Sequence, residues 1–149
     1  MEFHETGKPA SRNELEQLVA LFPSSAPPEL LTFYAKTNGV YEPDCYIPEL
    51  HFTQLYIYEI SELPRMKDIY DERISQDLMA IGSDSFGNQY CIGIHGARFG
   101  KIYFWDHEED HVGMAQLGLP HDEELFHKNE EFISDNLDLF INAFVPDEE

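Results

Sequence analysis

Residues 80–110, AIGSDSFGNQYCIGIHGARFGKIYFWDHEED, constrain the fold of this chain more than any other stretch. Tyr90, Ile92 and Ile94 alternate with Gln89, Cys91, Gly93 and His95, the two-residue period of a strand. From Phe99 to Trp105 nearly every residue is apolar or aromatic, the types that suit a pleated surface. Residues 96–100 between these runs carry two glycines able to take positive φ, so the spacing predicts a β-hairpin. A second turn cluster, SDSFGN at 83–88, joins an apolar run at 78–82 to that hairpin, giving three consecutive antiparallel strands. The hairpin runs into His107-Glu108-Glu109-Asp110-His111, which spells H-E-x-x-H. That segment is either the rim of an interaction domain or the first half of a zinc-protease motif, and the two readings lead to different functions.

Helices flank this unit. Ser11 with Glu14 three residues later forms a capping box, and Leu15, Leu18, Val19 and Phe22 follow at helical spacing until Pro23. Pro27 and Pro28 open a second helix with Leu30, Leu31, Phe33 and Tyr34 on its apolar side, stopped by Gly39. Residues 40–51, with Pro43 and Pro48, read as a loop, and residues 55–60 as a strand. Ser61 is the expected cap of a short helix to about residue 72, with Pro64 in its first turn and Met66, Ile69 and Tyr70 facing inward. Residues 106–128 read as irregular. A final helix is expected to carry Ile133, Leu137, Phe140, Ile141 and Phe144 on one face. The pattern predicts an α+β fold, an antiparallel β-sheet with N-terminal and C-terminal helices packed on it. The expected organisation is a single domain over 1–149, with a core at about 14–144 and short frayed termini.

Charge narrows the function classes. Nine basic against 29 acidic side chains leave a net −20, and residues 121–149 alone hold ten carboxylates and one lysine. Such a field repels phosphate backbones, which argues against direct nucleic-acid binding, and it speeds encounter with cationic partners. Solubility alone also accounts for an acidic surface. Two cysteines, Cys45 and Cys91, make no disulfide framework or CxxC pair, and Cys91 reads as a core thiol in a reducing cytosol. The N-terminus has no signal-peptide pattern and no stretch approaches a membrane span. His4, His51, His95, His121 and His127 have no mutual ligand spacing.

The order of these pieces resembles the SUKH superfamily, which includes fungal cell-wall-assembly regulators and many bacterial immunity proteins. The likeness rests on IGSD at 81–84, Gly87 before YCI at 90–92, and GKIYFWDHE at 100–108. It also rests on the Pro28-led helix closing in Asn38-Gly39 and on ISDNLDLFI at 133–141. The resemblance implies a noncatalytic immunity protein that neutralises a cognate toxin, often a basic nuclease, by masking its active face; no cofactor is expected, and the cysteines and the N-terminal pattern point to the cytoplasm. Candidate contacts are Trp105, Asp106, Glu108, Glu109, Asp110, Asp122, Glu123 and Glu124, for which plain surface charge is the competing account. A regulatory or scaffolding domain of the same fold, binding an endogenous protein, is the alternative that the fungal relatives imply.

The zinc-protease alternative would use His107, His111 and Glu131 as ligands and Glu108 as general base, with Asp135 behind a ligand histidine. The strand-forming run to Trp105 argues against it. Ligand histidines four residues apart need a helix with a buried face, and Glu108, Glu109 and Asp110 offer no apolar anchor. Nor does a chain of 149 residues leave much material for a second lobe and cleft.

Overall fold

A computed structural model of the chain describes residues 3–48, 50 and 52–147. His51 and the chain ends Met1, Glu2, Glu148 and Glu149 lie outside the described residues. In chain order the elements are β1 (Glu5–Thr6), α1 (Arg12–Val19), α2 (Pro28–Lys36), β2 (Val40–Ile47), β3 (Phe52–Ile57) and α3 (Leu63–Ile69). Then come β4 (Leu78–Ser83), β5 (Gln89–Gly93), β6 (Ile102–Trp105), α4 (His111–Gln116), β7 (Glu130–Ser134), α5 (Leu137–Asn142) and β8 (Val145–Pro146). The strands form an antiparallel meander in the order β1-β2-β3-β4-β5-β6-β7, with β8 also paired to β2. The expected α+β architecture is the one observed.

β5 has no exposed residue. Its alternation therefore separates two buried layers instead of a core from water. Tyr90 and Ile92 join Leu18, Leu30, Tyr34, Ile57, Ile81, Phe140 and Phe144 in the larger layer, beneath α1, α2 and α5. The Tyr90 ring meets Phe140 at 4.9 Å edge to face, and Phe140 meets Phe144 at 5.2 Å. Cys91 points to the opposite face and packs with Ile74, Leu78, Ala80 and Trp105 in a smaller layer flanked by Tyr70 and Tyr103.

Local signals set several boundaries. The Ser11 hydroxyl accepts from the Glu14 amide at 3.1 Å, and the Glu14 carboxylate accepts from the Ser11 amide at 2.9 Å, which starts α1. Pro28 opens α2 as expected.

Other boundaries differ. Residues 40–47, expected as a loop, are strand β2, and Pro43 falls where the β2–β3 register shifts between Glu42 and Tyr46. A proline without an amide proton is tolerated at such an irregularity. β3 ends at Ile57, and Glu59, in place of Ser61, caps a 3-10 turn at Ile60–Glu62 before α3. Ile69, expected inside, is 42% exposed at the end of α3. Ile133 belongs to β7, because Asn136 in extended geometry interrupts the chain and caps α5, its side chain accepting from the Leu139 amide at 2.9 Å. The stretch read as irregular holds a 3-10 turn at His107–Glu109, helix α4 and a 3-10 turn at Glu123–Leu125.

The hairpin turn makes its own prediction. A Cβ on Gly93 would run into the carbonyl of Arg98, whereas one on Gly96, at φ +72, meets nothing within 4 Å. Gly93→Ala is expected to cost about 3 kcal/mol by overpacking, and Gly96→Ala about 1 kcal/mol from left-handed backbone strain alone. Urea denaturation at unchanged m resolves the two.

Burial pushes the Tyr56 and Tyr58 phenols up to about 12, and Tyr34 and Tyr90 higher still. Their stabilising contribution is complete below the unfolded phenol pKa of about 10 and is lost as pH rises toward 12. Phenolate absorbance should therefore lag at these four residues and rise together with loss of far-UV ellipticity.

Candidate protein-binding end of the sheet

The end of β6 is held by a chain of polar groups that begins in the turn after β4. The buried Asp84 carboxylate accepts from the Phe86 amide at 2.9 Å, the Asn88 amide at 3.1 Å and the Asn88 Nδ2 at 2.8 Å. Since a carboxylate only accepts, the amide nitrogen of Asn88 must face it, and Oδ1 points the other way. That oxygen accepts from the His107 amide at 3.0 Å and lies 2.6 Å from His107 Nδ1, so Nδ1 carries a proton. The SDSFGN turn and the WDHE segment thus form one tied unit, although 19 residues separate Asn88 from His107.

Trp105 has no exposed surface. Its ring meets Tyr70 at 5.2 Å, and the Arg73 guanidinium lies 4.9 Å from the Tyr70 ring centre and 5.4 Å from that of Trp105. Arg73 Nε donates to Asp110 Oδ2 at 2.7 Å, while Asp110 Oδ1 accepts from the Gly113 amide at 2.9 Å and caps α4. Two of the expected contacts, Trp105 and Asp110, are therefore interior parts of the fold, the first fully buried and the second 6% exposed. Their burial follows from the aromatic layer that β6 must cover and from the charge of Arg73 beside it.

The remaining candidates do reach solvent. Asp106 is half-buried, its Oδ1 accepting from the Glu108 amide at 2.9 Å and its carbonyl accepting from Asn129 Nδ2 at 2.7 Å. Glu108, Glu109, Asp122, Glu123 and Glu124 are exposed. The two acidic turns are joined, because the Asp122 amide donates to His111 Nδ1 at 3.0 Å. Between them and the β6–β7 end lies a groove of about 540 Å³ lined by Phe104, Asp106, Glu109, His111, Leu125 and Glu131, among others.

The sequence matches the SMI1 / KNR4 family (SUKH-1) over residues 9–142. The chain belongs to this family. It is also similar to the SPbeta prophage-derived uncharacterized protein YokK of Bacillus subtilis (strain 168), 37% identical over 51 residues, which is 34% of this chain and 25% of that protein. The chain thus matches about a quarter of the length of that curated relative.

In this SUKH-1 protein the H-E-x-x-H letters are split between two elements. His107 opens the 3-10 turn and His111 opens α4, so the pair of imidazoles one helical turn apart on a single helix is not formed. His111 accepts at Nδ1, which leaves its proton on Nε2, 3.4 Å from Glu109 Oε2. Glu131 stands on β7. No group of three potential ligands close enough for a metal ion occurs among the described residues.

One polar centre escapes any reading of the sequence. Glu130, with 2% of its side chain exposed, accepts from the Ser75 hydroxyl at 2.6 Å, the Ser75 amide at 2.8 Å and Arg98 Nη2 at 3.0 Å. Arg98 also reaches Asp77 at 3.1 Å and sits 4.1 Å from the Tyr103 ring centre. This network fastens β7 to the loop before β4 and to the hairpin turn. No signal in the run Asn129-Glu130-Glu131 distinguishes the buried carboxylate from its exposed neighbour.

Asp110→Ala removes both a helix cap and the partner of a partly buried Arg73, and a loss of about 2 kcal/mol is expected. Asp110→Asn keeps the cap and should cost about half as much. The double change Glu123→Gln with Glu124→Gln, on exposed side chains, should stay within about 0.5 kcal/mol. Chemical denaturation of the three variants checks the order.

Proposed function

We propose that the chain is a noncatalytic immunity protein that binds and neutralises a cognate toxin, a basic nuclease, by covering the surface with which it holds nucleic acid. The observation that carries the reading is the pair of tied acidic turns: Glu108, Glu109, Asp122, Glu123 and Glu124 are exposed together on a braced end of the sheet. Membership of the SUKH-1 family over residues 9–142 supports a protein-binding role in general, and the nuclease is the finer step. A nuclease must present Lys and Arg to hold phosphate, so its working face is complementary to fixed carboxylates. The net charge of −20 adds long-range attraction, which helps a protein that must capture its target before damage is done. The contact set in this reading is Asp106, Glu108, Glu109, Asp122, Glu123 and Glu124. The place of action is the cytoplasm, with Cys45 and Cys91 as thiols. No helix among the described residues is long and apolar enough to cross a membrane.

The reading is tested by capture from the native host followed by kinetics. A basic protein with nuclease activity should be recovered, and the chain should inhibit its cleavage of nucleic acid stoichiometrically. Association should slow steeply between about 50 and 500 mM salt. Replacing Glu108, Glu109, Glu123 and Glu124 together by Gln should lower the association rate about tenfold or more, with little change in fold stability. Recovery of neutral or acidic endogenous partners alone would sink the toxin reading and favour a regulatory scaffold of the same family.

A further inference from the structure

A hollow of about 320 Å³ opens at the other end of the sheet, between β1, the start of β2 and the end of β3. Its composition differs from that of the acidic turns. Tyr41 and Tyr56 line it with their rings in edge-to-face contact, 5.8 Å between centres and 68° between planes. Tyr56 also meets Tyr58 edge to face at 5.1 Å, and its hydroxyl donates to both oxygens of Glu62 at 3.1 Å. Glu5 and Glu59 contribute exposed carboxylates to the lining, and no Lys, Arg or His is among the described residues that line it. Gly39, at φ +102, lies close against the end of β3: a Cβ there would be 3.2 Å from Glu59 Cγ and 3.1 Å from the Ile57 carbonyl. Burial first, then the bond to Glu62, push the Tyr56 phenol up to about 12, with smaller contributions from the charges of Glu62 and Glu59.

We propose that this hollow is a second binding site, which accepts the guanidinium of an arginine side chain from a protein partner. Two tyrosine rings braced at a steep angle offer π surface to a flat cation, and two carboxylates at the rim offer acceptors for its forked donors. Guanidinium fits this set better than ammonium, because it stacks on rings while it donates in plane, whereas ammonium is a strongly hydrated point charge. Arginine is also the basic residue that most often anchors a protein interface. The site goes beyond the reading above: it lies on β1, β2 and β3, away from the acidic turns, and does not depend on what the partner does.

The test is amide NMR of the full chain titrated with N-acetyl-arginine amide, its neutral isostere N-acetyl-citrulline amide and N-acetyl-lysine amide. Saturable shifts confined to Thr6, Gly39, Tyr41, Ile57 and their neighbours are expected with the arginine compound. The citrulline compound should give none, and the lysine compound should bind at least about threefold more weakly. Tyr41→Ala, and separately Glu5→Gln on the exposed strand, should each weaken the arginine compound about threefold while the rest of the spectrum keeps its dispersion. Equal shifts from citrulline or lysine, shifts centred on Glu108 and Glu123 instead, or unchanged affinity in both folded variants would overturn the proposal. Because the probes are single amino acids, failure here leaves the toxin reading standing, and failure to find a toxin leaves this site standing.

Discussion

Burial of β5 on both faces is the constraint on which the rest of this structure depends. A strand with one wet face can leave its partners loosely placed, but β5 needs apolar cover above and below. The larger layer recruits α1, α2 and α5 through Tyr90 and Ile92, and the smaller recruits Tyr70, Ile74 and Trp105 through Cys91. Trp105 is in turn the reason for the architecture at the end of β6. Its buried ring packs against Tyr70 and brings Arg73 to the same place, and a guanidinium held there requires a carboxylate, which Asp110 supplies while it starts α4. The position of the acidic turns is thus a consequence of how an aromatic layer was closed.

Two sets of carboxylates have opposite tasks. Asp84, Asp110 and Glu130 are nearly buried and each accepts hydrogen bonds from two or more donors, which offsets their loss of water. Glu108, Glu109, Glu123 and Glu124 face solvent, and backbone amides are turned toward the capping residues beside them, Asp106 and Asp122. A surface carboxylate in such a place adds little to stability and keeps its charge available for a partner. Division of labour of this kind lets one end of the molecule be rigid and strongly negative at once.

How much of this was legible in the sequence depends on whether a signal was local. The capping box at Ser11 and Glu14, Pro28 at the head of α2, the glycines of the hairpin and the alternation through Tyr90 and Ile92 all act within a few residues, and each is where it was expected. The strand at 40–47 was hidden by Pro43, since a register irregularity that excuses a proline depends on pairing with β3. Ile133 has the right spacing from Leu137 for a helix, but Asn136 adopts the extended geometry of a cap and hands Ile133 to the edge strand. At the candidate site the WDHE segment was visible, while the fate of each acid was not. Glu109 and Asp110 are neighbours in sequence, and the cap on Gly113 together with the Arg73 contact, 37 residues away, holds Asp110 inside while Glu109 stays outside.

Sheet order places a geometric demand on any partner. The tyrosine hollow is centred on β2 and β3 and both acidic turns lie in the connection between β6 and β7, so three to four strand spacings, about 15–20 Å, lie between them. A standard protein interface covers about 800 Å² per partner, roughly 30 Å across, enough to span that distance when both sites open toward the same side. An arginine anchored among Tyr41, Tyr56, Glu5 and Glu59 would then fix the register of a complex whose speed of assembly comes from the exposed carboxylates at the other end. Specific seating and rapid capture are separate physical tasks, one short-ranged and sensitive to shape, the other long-ranged and screened by salt. A small acidic protein gains from assigning them to different places on one rigid sheet.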